Sequence, residues 1–174
     1  MTSIVRPDFE PWIESYLRKR FPELELPLLN AVRAYDAVEA DLGVDPTLLK
    51  PLLEAASSAR VPLYENATEL LGALAVNHEA ARQAVIEMAS NSEAQVRFNA
   101  ILCVNESAPR SFALQIVRNR LYDNSARVRE KAADWAYRCR LNELIPDLTV
   151  ALEEESSANA KSCIRFALDG LAPK

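Results

Sequence analysis

NSEAQVRFNAILCV, residues 91–104, returns as DNSARVREKAADWA at 123–136 and more faintly as ESSANAKSCIRFAL at 155–168. The offset is 32 residues each time (123 − 91 and 155 − 123), with no gap. A period of this length belongs to stacked supersecondary units, each of which buries its apolar face only against its neighbours. Val96, Val128 and Ala160 share one column, and Ala100, Ala132 and Ile164 another. Cys103, Trp135 and Ala167 follow, then Val104, Ala136 and Leu168. These are i, i+4, i+7 and i+8 positions, the apolar stripe of one helix. The stretches before them keep the same phase, with Ala81, Ala113 and Ile145 aligned and Ala84, Ile116 and Leu148 aligned.

Working outward, the spacing predicts four helix pairs. They are expected near Pro46–Ala59 with Pro62–Val76, Glu79–Ala89 with Ala94–Asn105, Pro109–Tyr122 with Ala126–Arg140, and Glu143–Glu154 with Ala158–Leu171. Short connections favour antiparallel partners within a pair. Two more helices are expected before them. One covers about Pro11 to Phe21, with Trp12, Ile13, Tyr16 and Leu17 on one stripe. The other covers about Leu28 to Leu42, after breaks at Pro22 and Pro27, with Gly43 as its C-terminal stop. Asp45-Pro46 reads as a cap followed by a first-turn proline. Pro51 and Pro146 fall inside apolar helical patterns, where each is expected to kink its helix.

Composition agrees. Hydrophobic residues make up 49% of 174, enough for one domain with a sizeable core, and 3 glycines are too few for a turn-rich β fold. The formal net charge of −5 is ordinary for a soluble protein. No apolar run approaches the roughly 20 residues of a membrane span. The N-terminal residues carry no basic-then-apolar leader pattern, so a cytoplasmic protein is expected, without membrane contact. Cys103, Cys139 and Cys163 lack metal-ligand spacing and read as small buried hydrophobes in a reducing compartment.

Polar columns repeat as well. Asn91, Asp123 and Glu155 fall in the turn within each pair, and Arg97, Arg129 and Lys161 follow six residues later. An acceptor column beside a cation column can form a ladder along a stack, each charge-assisted bond contributing about 1.5–3 kcal/mol.

This combination resembles HEAT repeats, the two-helix units related to armadillo repeats. The residues that carry the resemblance are Asp123, Val128, Arg129 and Ala132, their copy Asn91, Val96, Arg97 and Ala100, and a proline such as Pro146 in NELIPDLTVAL. It spans roughly Asp45 to Leu171. It departs at the first repeat, where Tyr64 stands for the arginine, and at the last, where Glu155 and Lys161 replace Asp and Arg. The resemblance implies an all-α chain: a single domain over 1–174, with an α-solenoid of about four repeats over 45–172 and N-terminal helices over 1–44 packed on it. It further implies a curved right-handed stack with the second helices on the concave side, and binding more often than catalysis.

Outward columns of the second helices are then the candidate surface: Glu65, Phe98, Glu130 and Ser162; Asn66, Asn99, Lys131 and Cys163; Glu69, Leu102, Asp134 and Phe166; Ala73, Glu106, Arg138 and Gly170. From these, Glu65, Glu69, Phe98, Asn99, Leu102, Lys131, Asp134 and Arg138 are the expected partner-binding residues. Phe98, Leu102 and Phe166 read either as anchors for a partner or as packing between repeats.

Charge is uneven. Before residue 91 there are 8 basic and 14 acidic residues, net −6; from 91 onward 12 and 11, net +1. Residues 97–140 hold nine basic and four acidic residues, net +5. That segment reads as ladder arginines with surface ion pairs, or alternatively as a phosphate-binding patch. His78 is the lone histidine, expected in a surface turn, so a His-based triad or a multi-His metal site is excluded. No Gly-rich phosphate loop occurs. Asp134-Trp135 with Tyr137, Arg138 and Arg140 is similar to the combination in HEAT-like alkylpurine DNA glycosylases, though those chains are longer and Trp135 here falls in a core column. The expectation is a non-enzymatic scaffold or adaptor without a cofactor that binds a protein, with an inhibitor or immunity protein for a basic partner as one form. Nucleic-acid binding through 97–140 is the alternative, and a glycosylase-like enzyme a further one. The sequence leaves the oligomeric state open.

Overall fold

The structure is a computed structural model and describes residues 17–40 and 46–172. Among them are ten α-helices: α1 (Arg18–Arg20), α2 (Pro22–Ala40), α3 (Lys50–Ala56), α4 (Val61–Asn77), α5 (Glu79–Ala89), α6 (Ala94–Leu102), α7 (Arg110–Arg120), α8 (Ala126–Arg138), α9 (Ile145–Glu154) and α10 (Ala158–Leu171). Short 3-10 helices at Pro46–Leu49 and Asn142–Leu144 lead into α3 and α9. No strand occurs among the described residues, so the all-α expectation holds.

Each helix packs on its chain neighbour, α3 on α4, α5 on α6, α7 on α8 and α9 on α10. The second member of each pair also packs on the next: α4 on α6, α6 on α8, α8 on α10. On the other side α5 meets α7, and α7 meets the 3-10 helix before α9. At the N-terminal end α2 lies against both α3 and α4. The aligned columns supply the cement. Val96, Val128, Ala160, Ala100, Ala132, Ile164, Cys103 and Ala167 are all buried, as are Ala81, Ala113, Ala84, Ile116 and Leu148. Small residues dominate these columns, which lets successive helices approach closely. Gly72 on α4 is one such close approach: a Cβ there would sit 2.5 Å from the Cys103 carbonyl oxygen at the end of α6. Its own carbonyl accepts from Asn105 Nδ2 at 3.1 Å.

The turn column has a common role. Asn91 Oδ1 accepts the Glu93 N–H at 2.9 Å, Asp123 Oδ1 accepts that of Ser125 at 2.9 Å, and Glu155 Oε1 accepts that of Ser157 at 2.8 Å. The same side chain-to-backbone turn, two residues on, thus starts α6, α8 and α10.

Several local expectations need correction. Pro27 does not end a break: α2 starts at Pro22 and runs through Pro27. The missing N–H costs one helical bond, and the buried stripe Leu24, Leu28, Ala31, Val32, Tyr35 and Val38 offsets it. Pro51 and Pro146 kink nothing. The preceding residues wind as 3-10 helix, so both prolines fall in the first turn of α3 and α9, where a missing N–H is harmless. Helix α6 stops at Leu102, short of Asn105, because Cys103 and Val104 bond three residues back, to Ala100 and Ile101. Helix α8 stops at Arg138, short of Arg140. Arg140 takes φ of 50°, while the Leu141 N–H reaches Ala136 O at 2.8 Å and the Arg140 N–H reaches Tyr137 O at 3.0 Å. That is a Schellman stop with arginine where glycine is favoured. His78 joins α4 to α5 half-buried, its Nε2 3.7 Å from Glu39 Oε1. Of the expected first helix only its last residues are described: Leu17 is buried and Arg18–Arg20 form α1. Trp12, Ile13, Tyr16, Leu42, Gly43 and Asp45 lie outside the described residues.

Candidate functional site

Most of the charge between residues 97 and 140 is spent on the fold. Arg97 closes a two-pronged fork on Asp123 at 2.7 and 2.7 Å and donates back to the carbonyls of Asn91 and Ser92. Arg129 repeats the arrangement on Glu155 at 2.6 and 2.7 Å and donates to Asp123 O. Both forks span 26 residues and tie the second helix of one pair to the turn of the next. The carboxylates are nearly sealed, with side-chain exposure of 2% for Asp123 and 1% for Glu155. Burial alone would raise Asp123; the hydrogen bonds from Arg97 and the Ser125 N–H, with the charges of Arg97 and Arg120, outweigh it and hold the carboxyl below its ordinary value. The Arg129 hydrogen bond holds Glu155 down at about 2.

Other arginines are committed as well. Arg110 pairs with Glu143 and donates to the carbonyls of Cys139 and Arg140, capping α8. Arg118 pairs with Asp147, and Arg120 with Asp123.

One groove runs across α6, α8 and α10. It has a volume of about 440 Å³ and is lined by Phe98, Arg127, Glu130, Lys131, Asp134, Ser162, Cys163 and Phe166. Phe98 forms its floor and is only 8% exposed. The Arg127 guanidinium lies over its ring, 4.2 Å from the centroid, and donates to Gln95 Oε1 at 2.8 Å. Lys131 Nζ stands 5.5 Å from the Phe98 centroid and 4.8 Å from Trp135. Asp134 accepts from Lys131 at 3.4 Å and from Arg138 at 3.0 Å. On the far wall Phe166 is 60% exposed and meets Tyr137 edge-on, centroids 5.1 Å apart. Burial pushes the Cys163 thiol up, and Glu130 and Asp134 push it the same way, so it stays protonated at neutral pH.

The structure brings together only part of the expected set. Phe98, Lys131 and Asp134 share the groove, and Arg138 reaches its rim through Asp134 and the Trp135 ring. Asn99 faces inward: it is fully buried and its amide donates to the carbonyls of Ala56 and Ser58 at 2.8 and 2.9 Å, closing the end of α3. Leu102 packs against the core instead of facing outward. The phase of α6 is therefore rotated inward relative to the expectation. Glu65 and Glu69 are exposed on α4, away from the groove lining. Trp135 is half-buried, its indole N–H given to Val104 O at 2.8 Å.

Arg127 is the residue that sequence reasoning passed over. It aligns with Gln95 one period earlier (127 − 95 = 32), and that column contact is the one the structure shows. A smaller cleft of about 280 Å³ lies between α5 and α7, lined by Glu79, Arg82, Ile86 and Phe112 among others. Arg82 there is occupied by Glu79 and by the carbonyls of Ala75 and Val76. No helix among the described residues is long and apolar enough to cross a membrane. Compared with models of known protein families and with curated proteins, the chain matches none.

Proposed function

We propose that this chain is a HEAT-like α-solenoid of about four repeats, preceded by N-terminal helices, that binds a protein partner on the face of its second helices without catalysing a reaction. The observation that carries this reading is the groove across α6, α8 and α10. It opens at the columns where the repeat ceases to repeat, Phe98 against Glu130 and Asp134 against Phe166, and it leaves a large aromatic side chain exposed. The packing order of the helix pairs and the twice-built arginine fork support the repeat assignment. Glu65 is exposed on α4, the second helix of the first pair, and adds acidic charge to that helix. That favours a partner of basic overall charge, as an adaptor, inhibitor or immunity protein would meet.

Nucleic-acid binding draws less support. Of the nine basic residues in 97–140, Arg97, Arg110, Arg118, Arg120, Arg129, Lys131 and Arg138 each face a carboxylate, leaving Arg127 and Arg140. A glycosylase draws less still, since Asp134 is paired on both sides and the Trp135 indole is committed to the backbone.

The test is affinity capture from native lysate with quantitative mass spectrometry. Wild-type chain is compared with Phe166→Asp, a surface change that should leave the fold intact. A protein captured by the first and lost from the second supports the reading. Identical captures from both, or a low-salt mobility shift of DNA or RNA in their place, would sink it.

A further inference from the structure

Resting on the protein-binding reading, we infer that the groove takes a partner segment that sets an Asp or Glu side chain on Arg127 and an apolar side chain against Phe166. Arg127 has the fork of the two ladder arginines but no carboxylate among the described residues on it. Arg97 and Arg129 each close both prongs on a carboxylate. Arg127 gives one N–H to an uncharged amide oxygen, and no carboxylate among the described residues pairs with it. A guanidinium carries five N–H donors in a rigid plane. The Phe98 contact at 4.2 Å and the Gln95 bond narrow the rotamers of Arg127 before any ligand arrives, which lowers the ordering cost of binding.

Charge in the lining points the same way. Lys131 and Arg138 share Asp134, and Glu130 stands beside them. Within the lining Arg127 and Lys131 balance Glu130 and Asp134; since Asp134 is held by Lys131 and the rim Arg138, the cation without a carboxylate of its own is Arg127. A phosphate chain running along the groove would be driven against Glu130 and Asp134. A single carboxylate at Arg127 meets less of that repulsion than a chain of charges along the groove, with Glu130 its acidic neighbour one turn on in α8. Its neighbour of best fit is apolar, because the far wall is the exposed Phe166 ring set against Tyr137. The exposed Glu65 on α4 and this cationic spot are different parts of the surface. A partner basic overall can therefore still anchor here through an acidic side chain.

The experiment pans a random dodecapeptide phage library on the full chain, then measures synthetic enriched peptides by fluorescence anisotropy. Enriched peptides should share an acidic residue close to an aromatic or aliphatic one. Arg127→Gln should weaken binding about tenfold or more, and so should Asp→Asn or Glu→Gln in the peptide. Arg127→Glu should regain affinity for a peptide whose acid is changed to Lys, a rescue that a merely misfolded variant cannot show. Phe166→Ser should weaken binding, while Glu153→Gln, at an exposed position on α9 in the other layer, should leave it unchanged. Peptides that bind yet ignore Arg127→Gln overturn this inference and leave the protein-binding reading standing. Failure to enrich any peptide over the Phe166→Asp chain, with or without binding of an oligo-dT strand, overturns both.

Discussion

Changing Glu155 to Gln should destabilise the chain by about 2–3 kcal/mol at neutral pH and remove part of its acid sensitivity. The carboxylate is sealed, with its side chain 1% exposed, and takes a two-pronged fork from Arg129 at 2.6 and 2.7 Å plus the Ser157 N–H at 2.8 Å. These contacts lower its pKa from 4.5 to about 2. Each tenfold change in proton affinity is worth about 1.4 kcal/mol, so the full difference corresponds to about 3 kcal/mol. Glutamine keeps an oxygen for the Ser157 N–H but turns an amide N–H₂ toward the guanidinium, which recovers a fraction of that. A carboxyl held lower in the folded state stabilises fully above 4.5 and loses that contribution as pH falls toward about 2. The wild type should thus lose about 2 kcal/mol through this group between pH 7 and pH 3, and Glu155→Gln should not. Urea titrations followed by circular dichroism at both pH values measure the gap. At neutral pH a Tm drop of about 4–12 °C is the thermal equivalent for a chain of this size. A gap between wild type and variant that is the same at pH 7 and pH 3 would show that the fork is not the source of stability.

Four further outcomes follow from the packing. Gly72→Ala should cost about 1–3 kcal/mol in urea titration despite the better helix propensity of alanine, because the new Cβ meets the Cys103 carbonyl at 2.5 Å. Gly170→Ala should be close to neutral, since its Cβ meets the Tyr137 ring, a half-exposed side chain able to turn away. Arg140→Gly should raise stability by about 0.5–1 kcal/mol, seen as a higher Tm, by relieving the φ of 50° at the end of α8. Asn99→Ala should cost about 1–3 kcal/mol by stranding the Ala56 and Ser58 carbonyls, with the set of captured proteins unchanged.

The repeat made the pairing of helices legible because it rests on one quantity, the apolar period, that the structure obeys at most column positions, with Trp135, Ile145 and Leu168 only partly buried. Val96, Val128 and Ala160 are buried as their column requires, and the turn column Asn91, Asp123 and Glu155 starts the next helix three times over. The prolines were less legible. Whether Pro51 or Pro146 lies inside a helix or in its first turn depends on where the preceding chain changes winding from 3-10 to α, and no side-chain pattern marks that point. The site was legible at the scale of a face and not of a residue. A small rotation of α6 sufficed to bury Asn99 and seat Leu102 on the core while Lys131 and Asp134 stayed on the surface.

Arginine shows why spacing alone stops short of function. Arg97 and Arg129 each find a carboxylate 26 residues on, and so, by count, does Arg127, since residue 153 is Glu. Yet Arg127 does not pair with Glu153. Asp123 and Glu155 stand in the turn that opens the next second helix, within reach of a side chain from the helix before. Glu153 lies in the last turn of α9, on the other layer of the stack, and is exposed. Arg127, at the second position of α8, turns the other way, onto Phe98 and Gln95 of α6. The same residue type at the same interval is therefore a tie in one column and an open cation in the next but one. What separates them is which layer carries the acid. The fold spends its buried charge where the column ends in a turn, and leaves charge available where the column ends in a helix.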